Sequence, residues 1–244
     1  LGNFESLMRY PNFDRIMYNT VFIAVSKIVL GLVVAVIFAL MLNEVSNNGV
    51  RRTIQTIVYL PNFLSWVILS DIMVEILSGD GIVNSAIRLF GGNAVNFLGD
   101  AGVFPYTIIV SDIWKSFGYN AIIYLAALTA IDPTLYEAAV IDGAGRWRQT
   151  WHITLPGIQT IIVLMSTLAL GNVLNAGFEQ IFTLYSPAVY STGDIIDTVV
   201  YRLGMVDARY GVSTAASLFK SAISLVLVAI SYKLADKFAG YQIF

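Results

Sequence analysis

At 244 residues the chain has room for one or two ordinary domains, but 57% of it is hydrophobic and only 12% is charged, against roughly 25% charged in soluble domains. A mean hydropathy of +0.73 points to a bilayer protein, and a formal net charge of −2 gives no electrostatic footprint for nucleic acid. The absence of cysteine excludes disulfides and thiolate-held metals.

In chain order, residues 1–19 are polar and aromatic and read as an outer N-terminal segment. The chain starts at Leu1 without a signal peptide and is expected to lack its natural N-terminus. Residues 20–42 form the clearest span. At about 1.5 Å per residue they cover about 35 Å, enough for the roughly 30 Å hydrocarbon core. A short turn over 43–53 carries Arg51 and Arg52. Residues 54–77 make a second span, and Pro61-Asn62 predicts a kink or break within it. The Gly-, Asn- and Asp-rich stretch 78–103 reads as an outer loop with one short helix near 82–90. The third span is 104–130, the fourth 157–178 and the fifth 212–234. Between the last two, 179–211 reads as a loop with Pro187, Gly193 and several aspartates. Neither an internal repeat nor a low-complexity linker divides the chain. The expectation is one all-α membrane domain over 20–234 with five spans, closed by a tail at 235–244.

The third and fourth spans are joined by a loop at 131–157 that concentrates polar, basic and helix-breaking residues. Asp132-Pro133 reads as an N-cap followed by proline at the first helical position. Leu135 to Ile141 then makes a short helix with an apolar stripe at Leu135, Ala138 and Ala139, extended by Ala144. Gly143 and Gly145 either end that helix or admit another backbone closely. Arg146, Trp147, Arg148 and Trp151 form a basic, aromatic turn before Pro156. A short helix at a membrane surface, small on one side and charged on the other, suits docking into another protein.

Glu137-Ala138-Ala139, three residues, Gly143, nine residues, then Ile153, Leu155 and Pro156 resemble the full EAA loop of binding-protein-dependent ABC transporter permeases. The resemblance implies the type I importer permease fold and a cytosolic coupling helix that sits in a cleft of an ATP-hydrolysing subunit. Glu137, Ala138, Ala139, Asp142, Gly143, Ala144 and Arg146 would make that contact. Trp114-Lys115, the run Tyr124 to Leu128, Ile131-Asp132-Pro133, the run Gly177 to Phe182, Tyr185-Ser186-Pro187 and Tyr190 are similar to the carbohydrate branch, especially oligosaccharide and polysaccharide importers. The similarity covers roughly residues 15–235. It implies a multi-pass subunit of the cytoplasmic or inner membrane, paired with a second, homologous permease. Two ATPase subunits would bind ATP and Mg, and an extracytoplasmic solute-binding protein would deliver the sugar; this chain itself would bind no cofactor. Members of the sugar-import branch usually have at least six spans, so five imply a missing first helix. With the EAA loop cytosolic, alternation places Arg51, Arg52, Lys233 and Lys237 on that side, while Arg9, Arg15, Arg88, Arg202 and Arg209 stay outside. The positive-inside bias is therefore weak.

Polar residues within spans are costly, about 2.5–3.5 kcal/mol for an ionisable group at a helix centre by insertion scales, and usually face a partner or a water-filled cavity. In the third span Asp112, Lys115, Ser116 and Tyr119 share one helical face, flanked by Trp114 and Asn120. In the fourth, Asn172, Asn175 and Glu179 make a second stripe. Amides and carboxylates that bond hydroxyls, beside rings that stack on sugars, suit a carbohydrate path. The competing reading is interhelical glue, with Asp112 and Lys115 as an internal pair. Asp71 and Glu75, one turn apart, belong either at the outer mouth or in a helix pair, and Lys27 either pairs or snorkels.

Catalytic candidates are poor. His152, the single histidine, has no His-Glu-x-x-His partner. The run Gly211 to Ala215 lacks the last glycine of a nucleophile elbow, and Gly143-Ala144-Gly145 lacks the third glycine of a dinucleotide loop. No phosphate-loop sequence is present, so ATP would be hydrolysed by another chain. The sequence reading is thus a carbohydrate permease working by alternating access. Its alternatives are a permease for an amino acid, polyamine or phosphate and, more distantly, a membrane-embedded enzyme or scaffold.

Overall fold

The computed structural model describes residues 2–239, with side chains throughout except at Tyr232 and 234–239. Of the predicted tail, 235–239 continue the last helix; residues 240–244, Leu1 and the Lys237 side chain lie outside the described residues. Every regular element among the described residues is helical. In chain order these are α1 (Gly2–Met8), α2 (Phe13–Asn43), α3 (Asn48–Tyr59), α4 (Trp66–Leu77), α5 (Ile82–Leu89), α6 (Phe104–Thr129), α7 (Pro133–Ile141), α8 (Arg146–Gln149), α9 (Leu155–Leu170), α10 (Phe178–Leu184), α11 (Tyr190–Gly193), α12 (Ile196–Tyr201) and α13 (Tyr210–Ala239).

The chain divides into two compact units. The first comprises Leu1–Lys27, Phe63–Ile113 and Asn172–Val226. One of its cores gathers Ile23, Phe104, Ile108, Ile181, Leu184 and Ile195, and another gathers Leu7, Phe13, Ile16, Val199, Leu203 and Val212. The second unit comprises Ile28–Asn62, Trp114–Gly171 and Leu227–Phe244. Its core is built on Ala35, Ala39, Leu42, Ala121, Tyr124, Leu125, Leu128 and Ile158. Close approach in this unit depends on small residues. A Cβ at Gly118 would lie 2.4 Å from Val58 Cγ1 and 2.8 Å from its carbonyl oxygen, so α6 meets α3 almost backbone to backbone.

Three helical segments are long and apolar enough to cross a bilayer: Phe13–Asn43, Arg146–Leu170 and Tyr210–Ser231. A fourth is reached if the pair broken near Leu60–Phe63 counts as one span. The predicted five are not. Helix α6, with 26 residues, is long enough, but Asp112, Lys115, Asn120 and its hydroxyls lower its hydropathy below that of a span. The break at Pro61-Asn62 is as predicted, with a 3-10 turn at Leu60–Phe63 and a fresh start at α4, where Ser65 caps the Ile68 amide. Along α2, Val21, Val25, Val29, Val33, Ile37 and Met41 are all exposed. Spaced by four, they form an apolar stripe fit for lipid or another membrane chain.

The fourth span starts and ends earlier in the chain than predicted. Helix α9 ends at Leu170, not near 178, and residues 171–177 run as turns to Gly177, whose φ is +92°. The predicted loop at 179–211 is also corrected. It folds into α10, α11, α12 and a π-helical turn at Arg202–Val206, and it contributes Ile181, Leu184, Ile195, Ile196, Val199 and Leu203 to the cores.

Candidate coupling helix and transport path

The loop between α6 and α9 lies wholly within the second unit. Asp132 Oδ1 accepts the Thr134 amide at 2.9 Å, and Pro133 opens α7. That hydrogen bond holds the exposed Asp132 carboxyl below the usual carboxylate range. Helix α7 buries none of its residues. Glu137, Ala138, Asp142, Gly143 and Arg146 are exposed, while Ala139 and Ala144 are half-buried. Gly143 stops the helix at φ +75°, and the Ala144 amide returns to Ala139 O at 2.8 Å. A Cβ at Gly143 would meet nothing within 4 Å, so its role is conformational and not packing within this chain. Beneath α7, Tyr136 Oη and Thr154 Oγ1 share a hydrogen bond at 3.0 Å, and Gln149 Nε2 donates to Ala144 O at 2.9 Å. Arg146 forms an ion pair with Glu44 at the end of α2. The loop is therefore braced from below and bare above, with Leu135, Val140, Ile141 and Trp147 exposed.

The polar face of α6 separates into two environments. Asp112, in the first unit, meets Lys27 Nζ at 3.4 Å. Lys27 is 8% exposed and donates also to Ala176 O at 2.7 Å and Gln180 Oε1 at 2.5 Å. Gln180 in turn donates to Ile108 O and Ser111 Oγ, both at 2.9 Å. Lys27 pairs and does not snorkel; its ammonium satisfies a carbonyl freed by the break after α9. Further along, in the second unit, Lys115 and Ser116 are half-buried, and Tyr119 and Asn120 are exposed.

Asn172, Asn175 and Glu179 do not form the predicted stripe. Asn172 and Asn175 lie in the turns after α9, with the Asn175 amide on Asn172 O at 2.8 Å, and Glu179 starts α10. All three are exposed, so they remain available although they share no helix. A few residues missed in the sequence carry the polar chemistry of the first unit. Asp194 is buried and holds Arg202 at 2.5 Å and Thr198 at 2.6 Å. Asp197 holds Lys220 at 2.5 Å. Burial pushes the Tyr185 phenol up to about 12, with Tyr190 adding to it. Spacing offered no signal for these pairs, since Asp197 and Lys220 lie on separate helices.

No group of three or more His, Cys, Asp or Glu among the described residues could hold a metal. Among the described residues the loop offers an exposed short helix, and polar groups lie along α6 and in the turns after α9.

Residues 27–239 match the family described as binding-protein-dependent transport system inner membrane component. The chain is 40% identical over 245 residues to the polygalacturonan/rhamnogalacturonan transport system permease protein YteP of Bacillus subtilis (strain 168), covering 100% of this chain and 76% of that one. It is 39% identical over 236 residues to Protein LplB of the same organism, covering 96% and 74%. Among solved structures, a bacterial ABC transporter involved in the import of the acidic polysaccharide alginate superposes with a TM-score of 0.93 at 39% identity, covering 98% of this chain and 84% of that one. The chain belongs to the inner membrane components of binding-protein-dependent transport systems: it is a multi-pass ABC importer permease, a transport subunit.

Proposed function

We propose that this permease carries oligosaccharides of an acidic polysaccharide across the membrane by alternating access. The observation that carries the reading is similarity along nearly the whole chain to a polygalacturonan/rhamnogalacturonan permease and to the permease of an alginate importer. The exposed polar groups support it. Tyr119, Asn120, Asn172 and Asn175 offer amides and a phenol to sugar hydroxyls, and Asp112, Lys115, Ser116 and Glu179 lie next to them in sequence.

Helix α7, the turn after it and the start of α8 dock into a separate ATPase chain through Glu137, Ala138, Ala139, Asp142, Gly143, Ala144 and Arg146. Its lack of any buried residue supports this, since a bare helix with exposed Val140 and Ile141 is shaped for a partner. ATP and Mg bind on that partner. Two ATPase subunits serve two permeases, this chain and a homologue, and closure of the ATPase pair moves α7 and opens the path outward. The outer face receives sugar from a solute-binding protein; the alginate importer has been solved with its pentasaccharide-bound periplasmic protein.

Reconstitution in liposomes with each component omitted in turn tests the reading. ATP-driven uptake of uronate oligosaccharides is expected only when this chain, a second permease, the ATPase and the sugar-loaded binding protein are all present. Uptake without a second permease or a separate ATPase would overturn it, as would ATPase activity indifferent to every sugar-loaded binding protein.

A further inference from the structure

The first unit holds a row of aromatic rings outside both predicted polar faces. Phe178 stacks on Phe182 at 5.2 Å, and Tyr201 lies 4.6 Å from Phe182. Tyr185 follows 6.0 Å from Phe182, and Tyr190 lies 5.0 Å beyond it. The row ends where the Arg202 guanidinium sits 4.9 Å over the Tyr190 ring. None of these rings is buried. At one end is a cavity of about 470 Å³ lined by Asn175, Asp197, Tyr201, Ser213 and Lys220. At the other is a cavity of about 320 Å³ lined by Tyr10, Arg15, Tyr190, Arg202 and its ion-pair partner Asp194.

Two buried side-chain atoms among the described residues have no hydrogen-bond partner, Asp197 Oδ2 and Arg202 Nη1. They belong to the residues at the two ends of this row. Asp197 binds Lys220 through Oδ1 and Arg202 binds Asp194 through Nη2, which leaves one acceptor and one donor unmet. Buried groups of this kind are normally satisfied by water or by a ligand, and each of these two residues lines a cavity with room for either. A lipid-facing surface would not carry a carboxylate and an ammonium, and a packing core would bury the rings. Rings that stay partly open between hydrogen-bonding groups match a sugar, whose C–H face packs on the negative face of an aromatic ring while its hydroxyls reach sideways.

We propose that this row is a track for an acidic oligosaccharide. A sugar carboxylate is received by Arg15, beside the Arg202–Asp194 pair, at the cavity lined by Tyr190, successive rings slide over Tyr190, Tyr185, Phe182 and Tyr201, and a hydroxyl donates to Asp197 Oδ2 beside Lys220. The assignment rests on the carbohydrate reading above and adds to it a specific surface. With Arg202 paired to Asp194, the exposed Arg15 leaves this mouth a net positive charge, which makes the track select uronate over neutral sugars.

The test uses the complete reconstituted transporter with two probes, tetragalacturonate and the neutral cellotetraose. Phe182→Ala and Tyr201→Ala should raise the apparent KM for tetragalacturonate uptake about three- to ten-fold, the scale of one lost ring contact, while Phe182→Tyr and Tyr201→Phe stay close to the parent. Arg15→Gln, at an exposed site, should reduce the preference for tetragalacturonate over cellotetraose. Because the chain has no cysteine, Met205→Cys at the cavity lined by Asp197 and Lys220 gives a second readout that needs no ring removed. Its maleimide labelling should slow with tetragalacturonate during turnover, while labelling of Leu89→Cys, away from the track, does not. A parent complex that takes up neither probe would sink the carbohydrate reading itself. A parent that transports, with unchanged KM in the ring variants or probe-independent labelling of Met205→Cys, would overturn the track alone.

Discussion

Gly143 and Lys27 show how single residues set the two functional regions. At φ +75° Gly143 occupies backbone space where a Cβ costs about 1–2 kcal/mol, yet no neighbour in this chain would touch that Cβ. Gly143→Ala should therefore strain the end of α7 modestly, and Gly143→Trp should also obstruct the docking face. The expected outcome for Gly143→Trp is normal insertion with transport lost or uncoupled from ATPase, measured by uptake and phosphate release on the same vesicles; normal transport would remove α7 from the coupling role. Lys27 is nearly enclosed and serves a carboxylate, a carbonyl and an amide oxygen at once. Lys27→Met leaves the Ala176 carbonyl and the Gln180 amide oxygen without this donor and takes one cation from Asp112, and losing a buried cation in this way costs about 3–5 kcal/mol. Thermal unfolding in detergent should show a large drop for Lys27→Met and a smaller one for Lys27→Met combined with Asp112→Asn, which neutralises the carboxylate that lost its cation.

At the scale of elements, packing distance decides what local sequence leaves open. Two glycines of equal helix propensity make the point. At Gly118, in α6, an added Cβ would press on the Val58 backbone, whereas at Gly31, in α2, it would meet nothing within 4 Å. Gly118→Ala should destabilise by about 1–3 kcal/mol through overpacking. Gly31→Ala should be neutral or stabilise by about 0.5–1 kcal/mol through the lost flexibility of the unfolded chain. Unfolding midpoints of the two variants compare the effects directly, and equal midpoints would contradict the close contact of α3 with α6. The break after α9 obeys the same logic. Its freed Ala176 carbonyl is met by Lys27, and Gly177 at φ +92° leaves room for that ammonium, since a Cβ there would stand 2.8 Å from Nζ.

For the whole molecule, Asn172 and Asn175 provide the sharpest separation of a path from glue. Both are exposed side chains in the unwound segment. Asn172→Ala and Asn175→Ala should weaken sugar-stimulated ATPase of the assembled transporter more than basal ATPase, with several-fold higher sugar-loaded binding protein needed for half-stimulation. Equal losses in both activities, or a lower yield of complex alone, would assign the asparagines to helix contacts. The exposed valine stripe of α2 belongs to this scale as well, because a membrane chain is completed by lipid and by other subunits.

The amino-acid sequence by itself determined that this chain lives in a bilayer, that its regular structure is helical and that one short capped helix starts and ends between α6 and α9. Those properties are local: composition sets the solvent, Asp132-Pro133 starts α7, and Gly143 ends it. Pro61-Asn62 likewise announced its own break. Only the tertiary structure decided that α9 stops at Leu170 and that 179–211 folds into buried helices, because the groups that satisfy this backbone are distant in sequence. Lys27 lies 149 residues from the Ala176 carbonyl it serves, and Asn19 lies 175 residues from the Asp194 carbonyl it binds. A window of hydropathy sees a polar residue as a cost; it cannot see the partner that makes an interrupted helix stable in a membrane.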